Sequence, residues 1–250
     1  MLIKSNFKLR GFKILAFICF SFISFNALSS VTMNGSRIIY AEDTKGINVE
    51  FRNSSTIPYV VQGWFDSGDE NSTPENGIAP FTASPGLFRI KPKNGQIMRV
   101  VFTGNAKELP NDKESVFYFN FLQIPPSNID EGMNNKILVV MKNRVKVFYR
   151  PKGISDLSNE NLKNTTLKIE SIAKGVEVTI ENRSAYHLSI IGVTVYDGKN
   201  ELKRETKMIS PFSEQKIIFY GIRKNNKNII SIDYINDQGA RLRKEYARFS

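Results

Sequence analysis

Short runs of β-branched and aromatic residues, each closed by Asn, Gly, Pro, Ser or Asp, dominate this chain and leave few folds open to it. Val49-Glu50-Phe51, Tyr59 to Trp64, Met98 to Phe102 and Val116 to Ile124 read as strands. Ile137 to Tyr149 is the longest such stretch. Leu167 to Ile172, Val176 to Ile180, Leu188 to Tyr196, Gln215 to Tyr220 and Ile229 to Ile235 continue the style. Past residue 30 no long helical period with caps occurs. Many short strands split by turns bury their apolar faces by stacking sheet on sheet, so the pattern predicts an all-β chain of sandwiches.

The N-terminal segment stands apart. Lys4, Lys8, Arg10 and Lys13 give a basic start with no acidic residue, Ile14 to Phe25 is an almost unbroken apolar run, and Ala27, Ser29 and Ser30 are small. That order describes a secretory signal peptide over residues 1–29, cleaved after Ser29 with Ser30 as the near alternative. The run is short for a bilayer core of about 30 Å, which needs about 20 apolar residues, so no stable membrane insertion is expected. Cys19, the chain's one cysteine, lies in this leader. The exported chain would then hold no disulfide, no thiol nucleophile and no cysteine-ligated metal, and its cores must stand on burial alone.

Arg150-Pro151-Lys152-Gly153-Ile154-Ser155 breaks the strand pattern and marks a boundary. It divides the chain into expected domains over 30–152 and 153–250, each near the size of an immunoglobulin-like sandwich, about 100 residues. No close internal sequence repeat relates them. The formal net charge is +11, of which the leader supplies four, leaving +7 without a long basic run. For a secreted protein such a balance favours acidic protein partners or a free carboxylate over nucleic acid.

Catalytic chemistry finds little support. A Ser-His-Asp triad would have to use His187, the one histidine, and no Gly-x-Ser-x-Gly elbow exists; a strand-end or surface histidine is the simpler reading. Asp66-Ser67-Gly68-Asp69-Glu70-Asn71 lacks calcium-loop spacing and reads as a turn between strands. Phosphate-loop and dinucleotide fingerprints are absent. The Asn-x-Ser/Thr sites at Asn53, Asn71, Asn164 and Asn182 carry no inference in an Asn-rich chain. No enzyme activity, metal or cofactor is expected.

Leu109-Pro110-Asn111-Asp112-Lys113-Glu114-Ser115 followed by Val116 to Ile124 and Pro125-Pro126 is more specific: an acidic-basic-Glu-Ser turn, an aromatic strand carrying Asn120, then Ile-Pro-Pro. This resembles the signature of the PapD-like periplasmic pilus chaperones. Phe121 departs from it, a smaller aliphatic being usual there. Arg144 to Pro151 resembles the end of the long last strand of that family's first domain. Weaker likenesses follow in order: Gly35 to Tyr40, Asn53 with Pro58 to Trp64, Leu87 to Pro92, Ile209 to Gln215 and Tyr234 to Ala240.

The resemblance implies two immunoglobulin-like β-sandwich domains in a boomerang arrangement with an interdomain cleft. It implies a periplasmic chaperone for pilin (fimbrial) subunits that passes them to an outer-membrane usher. The free edge strand from Ile137 to Met141 itself invites self-pairing, so a dimer is expected when no subunit is present. Arg37 and Lys146 would anchor the subunit's C-terminal carboxylate, an Arg fork and a Lys point charge being suited to that grip. Ile137, Val139 and Met141, alternating on one face, would form the donor strand that completes the subunit's fold. Glu114, Arg150 and Asp237 would form an interdomain ion network. The short loop Asn128 to Lys136 resembles the short-loop class. The family's frequent second-domain disulfide is missing, and Pro85-Gly86 replaces a common Pro-Pro. Two other readings of the strand pattern remain beside this one: a secreted β-sandwich adhesin or carbohydrate-binding protein, and a secreted hydrolase.

Overall fold

The structure is a computed structural model that describes residues 31–127, 138–154, 162–225 and 227–247 of the 250. The leader with its cleavage position, the loop Asn128 to Lys136, and Ile137 lie outside the described residues.

The first domain holds nine strands: β1 (Val31–Met33), β2 (Arg37–Ala41), β3 (Ile47–Asn53), β4 (Tyr59–Asp66), β5 (Phe81–Ser84), β6 (Leu87–Ile90), β7 (Gly95–Phe102), β8 (Ser115–Ile124) and β9 (Met141–Arg150). They form a four-stranded sheet, β1-β3-β7-β5, and a five-stranded sheet, β2-β9-β8-β4-β6. The second domain has β10 (Thr165–Ile172), β11 (Gly175–Asn182), β12 (Ile190–Tyr196), β13 (Glu201–Glu205), β14 (Ser213–Tyr220), β15 (Ile229–Ile235) and β16 (Arg241–Ala247), in sheets β10-β11-β14 and β13-β12-β15-β16. The chain is therefore all-β in two sandwich domains, as the strand pattern predicts.

Alternation sets the packing. In β3, Val49, Phe51 and Asn53 are buried while Asn48, Glu50 and Arg52 face solvent. The first core is aromatic. Phe51 meets Phe121 edge-on at 5.1 Å, and Phe119 meets Phe65 at 5.0 Å. Phe121 thus fills its site fully, at 3% exposure. Pairs of this kind add about 0.5–1.5 kcal/mol each beyond area burial. Gly63 on β4 is held to glycine by this packing: a Cβ there would sit 2.9 Å from the Phe119 ring. The second core is mainly aliphatic, built on Val176, Val178, Ile180, Val193, Ile230 and Ile232 around Phe219.

At the start of the first domain the chain changes sheets. β1 pairs with β3, Gly35 turns at φ 91°, and β2 joins the other sheet parallel to β9. That parallel ladder runs from Arg37↔Lys146 to Ala41↔Arg150. It covers only the C-terminal half of β9, and among the described residues the half from Met141 to Val145 has β8 on one side alone.

The expectation of one unbroken strand from Ile137 needs correcting. The β8–β9 ladder ends at Gln123↔Met141, and Leu138 to Val140 belong to no strand. The reason lies across the ladder: after Ile124 come Pro125 and Pro126, which have no N–H to donate, so pairing stops there.

Candidate functional site

Where the two sandwiches meet, a cleft of ≈ 280 Å³ is lined by Arg37, Phe148, Arg150, His187, Ser189 and Asp237, among others. Each side chain arrives from a strand or a turn already fixed by pairing. Arg37 starts β2, Phe148 and Arg150 lie on the outward face of β9, His187 precedes β12, and Asp237 sits in the turn joining β15 to β16. That turn closes on Gly239, whose absent Cβ leaves room for Ser36 of the first domain; a Cβ would lie 2.6 Å from Ser36 Oγ.

Arg37 and Lys146 are direct ladder neighbours. Arg37 donates from Nη1 to Ser189 Oγ at 3.1 Å and to the Ile235 carbonyl at 3.3 Å, both in the second domain. Its Nε is buried with no hydrogen-bond partner, and the guanidinium lies 5.7 Å from the Phe148 ring centroid. Burial holds its pKa below the ordinary arginine value, opposed by the charges of Asp237 and Glu114 and aided by Arg150. Lys146 is likewise lowered, first by burial and then by the like charges of Arg37 and Arg144. Lys146 is not among the residues lining the cleft; it flanks Arg37 across the ladder. Among the described residues neither cation pairs with a carboxylate. Two adjacent, partly desolvated cations, neither in a direct ion pair with a carboxylate among the described residues, make a site for an anion, and a carboxylate suits an Arg fork beside a Lys point charge.

Glu114, Arg150 and Asp237 come together across the domain junction. Arg150 Nε donates to Glu114 Oε1 at 2.9 Å, while Nη1 and Nη2 donate to Asp237 Oδ2 and Oδ1 at 2.8 and 2.9 Å. The guanidinium also lies 5.0 Å from the Tyr186 ring centroid. Burial works against its charge, but the hydrogen bonds it donates to Asp237 and the fields of Glu114 and Asp237 outweigh it, and its pKa rises above the ordinary value. The other Glu114 oxygen, Oε2, accepts from the backbone N–H of His187 at 2.9 Å and lies 2.9 Å from His187 Nδ1. The Glu114 backbone N–H itself reaches the Ala185 carbonyl at 2.9 Å.

The donor-strand candidates have a different setting. Val139 is 65% exposed and Met141 50% exposed, with Leu138 and Val140 exposed beside them. Four consecutive large apolar side chains in water form a patch that favours a partner. Ile137 lies outside the described residues.

Sequence reasoning missed two arrangements near the site. His187 lies three residues ahead of β12 as a buried member of the junction, not a surface histidine. Asp66, in the supposed solvated turn, is 1% exposed and anchors a cluster. It accepts from Arg144 Nη2 and Asn120 Nδ2, both at 2.6 Å, and from the Gly68 N–H at 2.7 Å. Burial would raise its pKa, yet these bonds hold it below the ordinary carboxylate value. The loop after Asp66 folds back on β9: Lys142 donates to the Glu70 and Ser72 carbonyls and lies 5.2 Å from the Trp64 ring centroid. No group of three or more potential metal-ligating side chains, and no helix long and apolar enough to cross a membrane, occurs among the described residues.

Comparison with known proteins identifies both halves of the chain. Residues 30–155 match the model for the pili and flagellar-assembly chaperone PapD N-terminal domain, and residues 161–246 match that for the pili assembly chaperone PapD C-terminal domain. The chain is 32% identical over 231 residues to the probable fimbrial chaperone YadV of Escherichia coli, covering 90% of this chain and 92% of that one. It is 33% identical over 221 residues to the chaperone protein HifB of Haemophilus influenzae, covering 87% of each. The crystal structure of the YadV chaperone superposes with a TM-score of 0.72 at 29% identity, over 88% of this chain and 100% of that one. With both halves matched in order and the sandwiches, cleft and junction in place, the chain belongs to the PapD family of pili assembly chaperones.

Proposed function

We propose that this protein is a periplasmic, non-catalytic chaperone that captures pilus subunits and hands them to an outer-membrane usher. Arg37 and Lys146 grip the subunit's C-terminal carboxylate. The segment from Ile137 to Met141 adds to the subunit as a donor strand, its backbone pairing with an open groove and its alternate side chains filling apolar pockets. Glu114, Arg150 and Asp237 fix the angle of the cleft. The exported chain begins near Ser30, with domains over 30–152 and 153–250, and works without metal or cofactor. In the absence of subunit the apolar segment pairs with a second copy. The short-loop class is the fitting branch of the family.

The observation that carries this reading is the pair Arg37 and Lys146: ladder neighbours, lowered in pKa by burial, with no carboxylate of their own. Arg37→Ala or Lys146→Ala should leave the fold intact and remove charge-assisted bonding worth about 1.5–3 kcal/mol, a loss of about tenfold or more in subunit affinity. Subunit recovery from periplasm, with circular dichroism as the folding control, measures it. Normal recovery from both variants would exclude the anchoring role.

A further inference from the structure

The chain's one histidine is built into the cleft wall. The His187 side chain is 6% exposed, with Nδ1 2.9 Å from Glu114 Oε2. Glu114 also holds Arg150, so its carboxylate is the acceptor and Nδ1 carries the proton in this arrangement. Nε2 makes no hydrogen bond among the described residues. The ring packs against Phe148 at 5.7 Å between centroids, and Arg37 sits over that same Phe148 ring. His187 and Arg37 therefore share one platform at the mouth of the anchoring site.

The charges that line the cleft with this imidazole come from four elements. Glu114 approaches from the turn before β8, Arg150 from β9, Arg37 from β2, and Asp237 from the β15–β16 turn; Tyr186 adjoins it in the chain and Tyr234 lines the cleft from β15. Two cations and two carboxylates balance, with Lys146 flanking. A proton on Nε2 adds a positive charge to a cluster whose two carboxylates, Glu114 and Asp237, are already shared with Arg150. An anion in the cleft supplies the matching charge. Imidazole is also the side chain that changes charge between about pH 5 and 8.

We propose that His187 is a further positioning residue of the carboxylate site, and that its protonation and carboxylate binding favour each other. This rests on the anchoring role of Arg37. Linkage makes the effect reciprocal: whatever a bound carboxylate does to the His187 midpoint, protonation does to carboxylate affinity. The size expected is about fivefold, the low end of ordinary coupling between sites.

The single histidine makes the test direct. The mature chain, purified without a histidine tag and labelled in its imidazole, gives one resonance to titrate by NMR. The probe is 3-phenylpropionate, with 3-phenylpropanamide as the uncharged control. Saturating carboxylate should move the His187 midpoint upward by about 0.7, the amide should leave it unmoved, and carboxylate affinity should be about fivefold tighter at pH 5.5 than at pH 8. His187→Gln, which can still donate to Glu114, should bind the carboxylate equally at both pH values. Carboxylate that binds to the parent, and is lost in Arg37→Ala, yet leaves the His187 midpoint unmoved refutes the coupling and spares the anchor. Absence of binding at every pH, or binding unchanged in Arg37→Ala, refutes the anchor and the coupling with it. Should His187→Gln fail to fold, as judged by its resonance dispersion, the parent's midpoint decides alone.

Discussion

Replacing Arg150 by Ala removes a side chain that holds carboxylates from both domains, Glu114 and Asp237. Its side chain is 12% exposed, Glu114 only 1% and Asp237 16%. Breaking a buried ion pair by deleting one partner costs about 3–5 kcal/mol, because a charge is left uncompensated. Glu114 keeps its two contacts with His187, and Asp237 lies near water, so the lower figure applies. The structure also decides where that cost falls. Arg150 belongs to neither hydrophobic core, and Glu114 regains water if the domains part. The loss therefore weakens docking of the two sandwiches more than the folding of either. About 3 kcal/mol lowers the docked-to-undocked ratio by about a hundredfold. Small-angle scattering of the mature protein should show a larger radius of gyration and a broader distance distribution for Arg150→Ala, while each domain's denaturation midpoint barely moves. Arg150→Lys keeps the charge but not the fork that spans both carboxylates, and should fall between parent and Ala. An Arg150→Ala profile that superposes on the parent's, with full subunit capture, would show that these three charges do not set the cleft.

Other expectations follow from the same geometry. Asp66 has a lowered folded-state pKa, so its contribution is present above the unfolded value of about 3.9 and fades as pH falls through the folded one. Asp66→Asn should cost about 2–3 kcal/mol at pH 7 in urea titration and flatten the stability profile below about pH 4; an unchanged slope there would refute the assignment. Val139→Glu should abolish subunit capture by burying an unpaired charge in the complex, while shifting the free protein's stability by no more than about 0.5 kcal/mol; equal loss of fold and capture would make Val139 a core residue. N-terminal sequencing of the exported protein should begin at or next to Ser30, and a product retaining residues 4–25 would overturn the leader assignment.

Strands with clean alternation were legible because burial imposes the period directly, as at Val49, Phe51 and Asn53 of β3. β13, Glu-Leu-Lys-Arg-Glu, was not: it is an edge strand in which only Leu202 is even half-buried, so charge hides the period. β16 alternates Leu242 and Tyr246 with arginine and glutamate and was missed for the same cause. A repeat between the domains also went unseen. Asn53 Oδ1 accepts from the backbone N–H and Oγ of Ser55, and its amide donates to the Ile57 carbonyl. Asn182 does the same with Ser184 and Tyr186. The Asn-x-Ser sites at Asn53 and Asn182 are thus one turn used twice, each Asn fully buried, with too few fixed residues to register as sequence similarity. The junction was legible only through resemblance, since nothing in the chemistry of Glu114, Arg150 and Asp237 announces contact over 36 and 87 positions.

The two-residue period of β9 explains why one strand can serve several tasks. Its odd positions run Met141, Asn143, Val145, Val147 and Tyr149, with Val147 and Tyr149 buried in the first core, Val145 packed against it, Asn143 half-buried, and Met141 emerging into solvent. Its even positions run Lys142, Arg144, Lys146, Phe148 and Arg150, all on the opposite face. One face is consumed by the protein's own sandwich at the C-terminal end and runs out of partners toward Leu138. The other carries the junction, the cleft platform and the anchor in turn. Met141 and Lys146 are separated by about 17 Å of paired strand, and pairing with β8 along this whole length keeps that spacing from varying. In the proposed mechanism a carboxylate seated by Lys146 therefore fixes which groove position each apolar side chain meets, because a slip of one residue would turn every plug to the wrong face. Lys142 and Arg144, tied down by the loop after Asp66, hold the half of β9 that β2 leaves uncovered. The same two charges on an open edge discourage indiscriminate pairing, leaving the apolar segment ahead of them as the part free to join another chain.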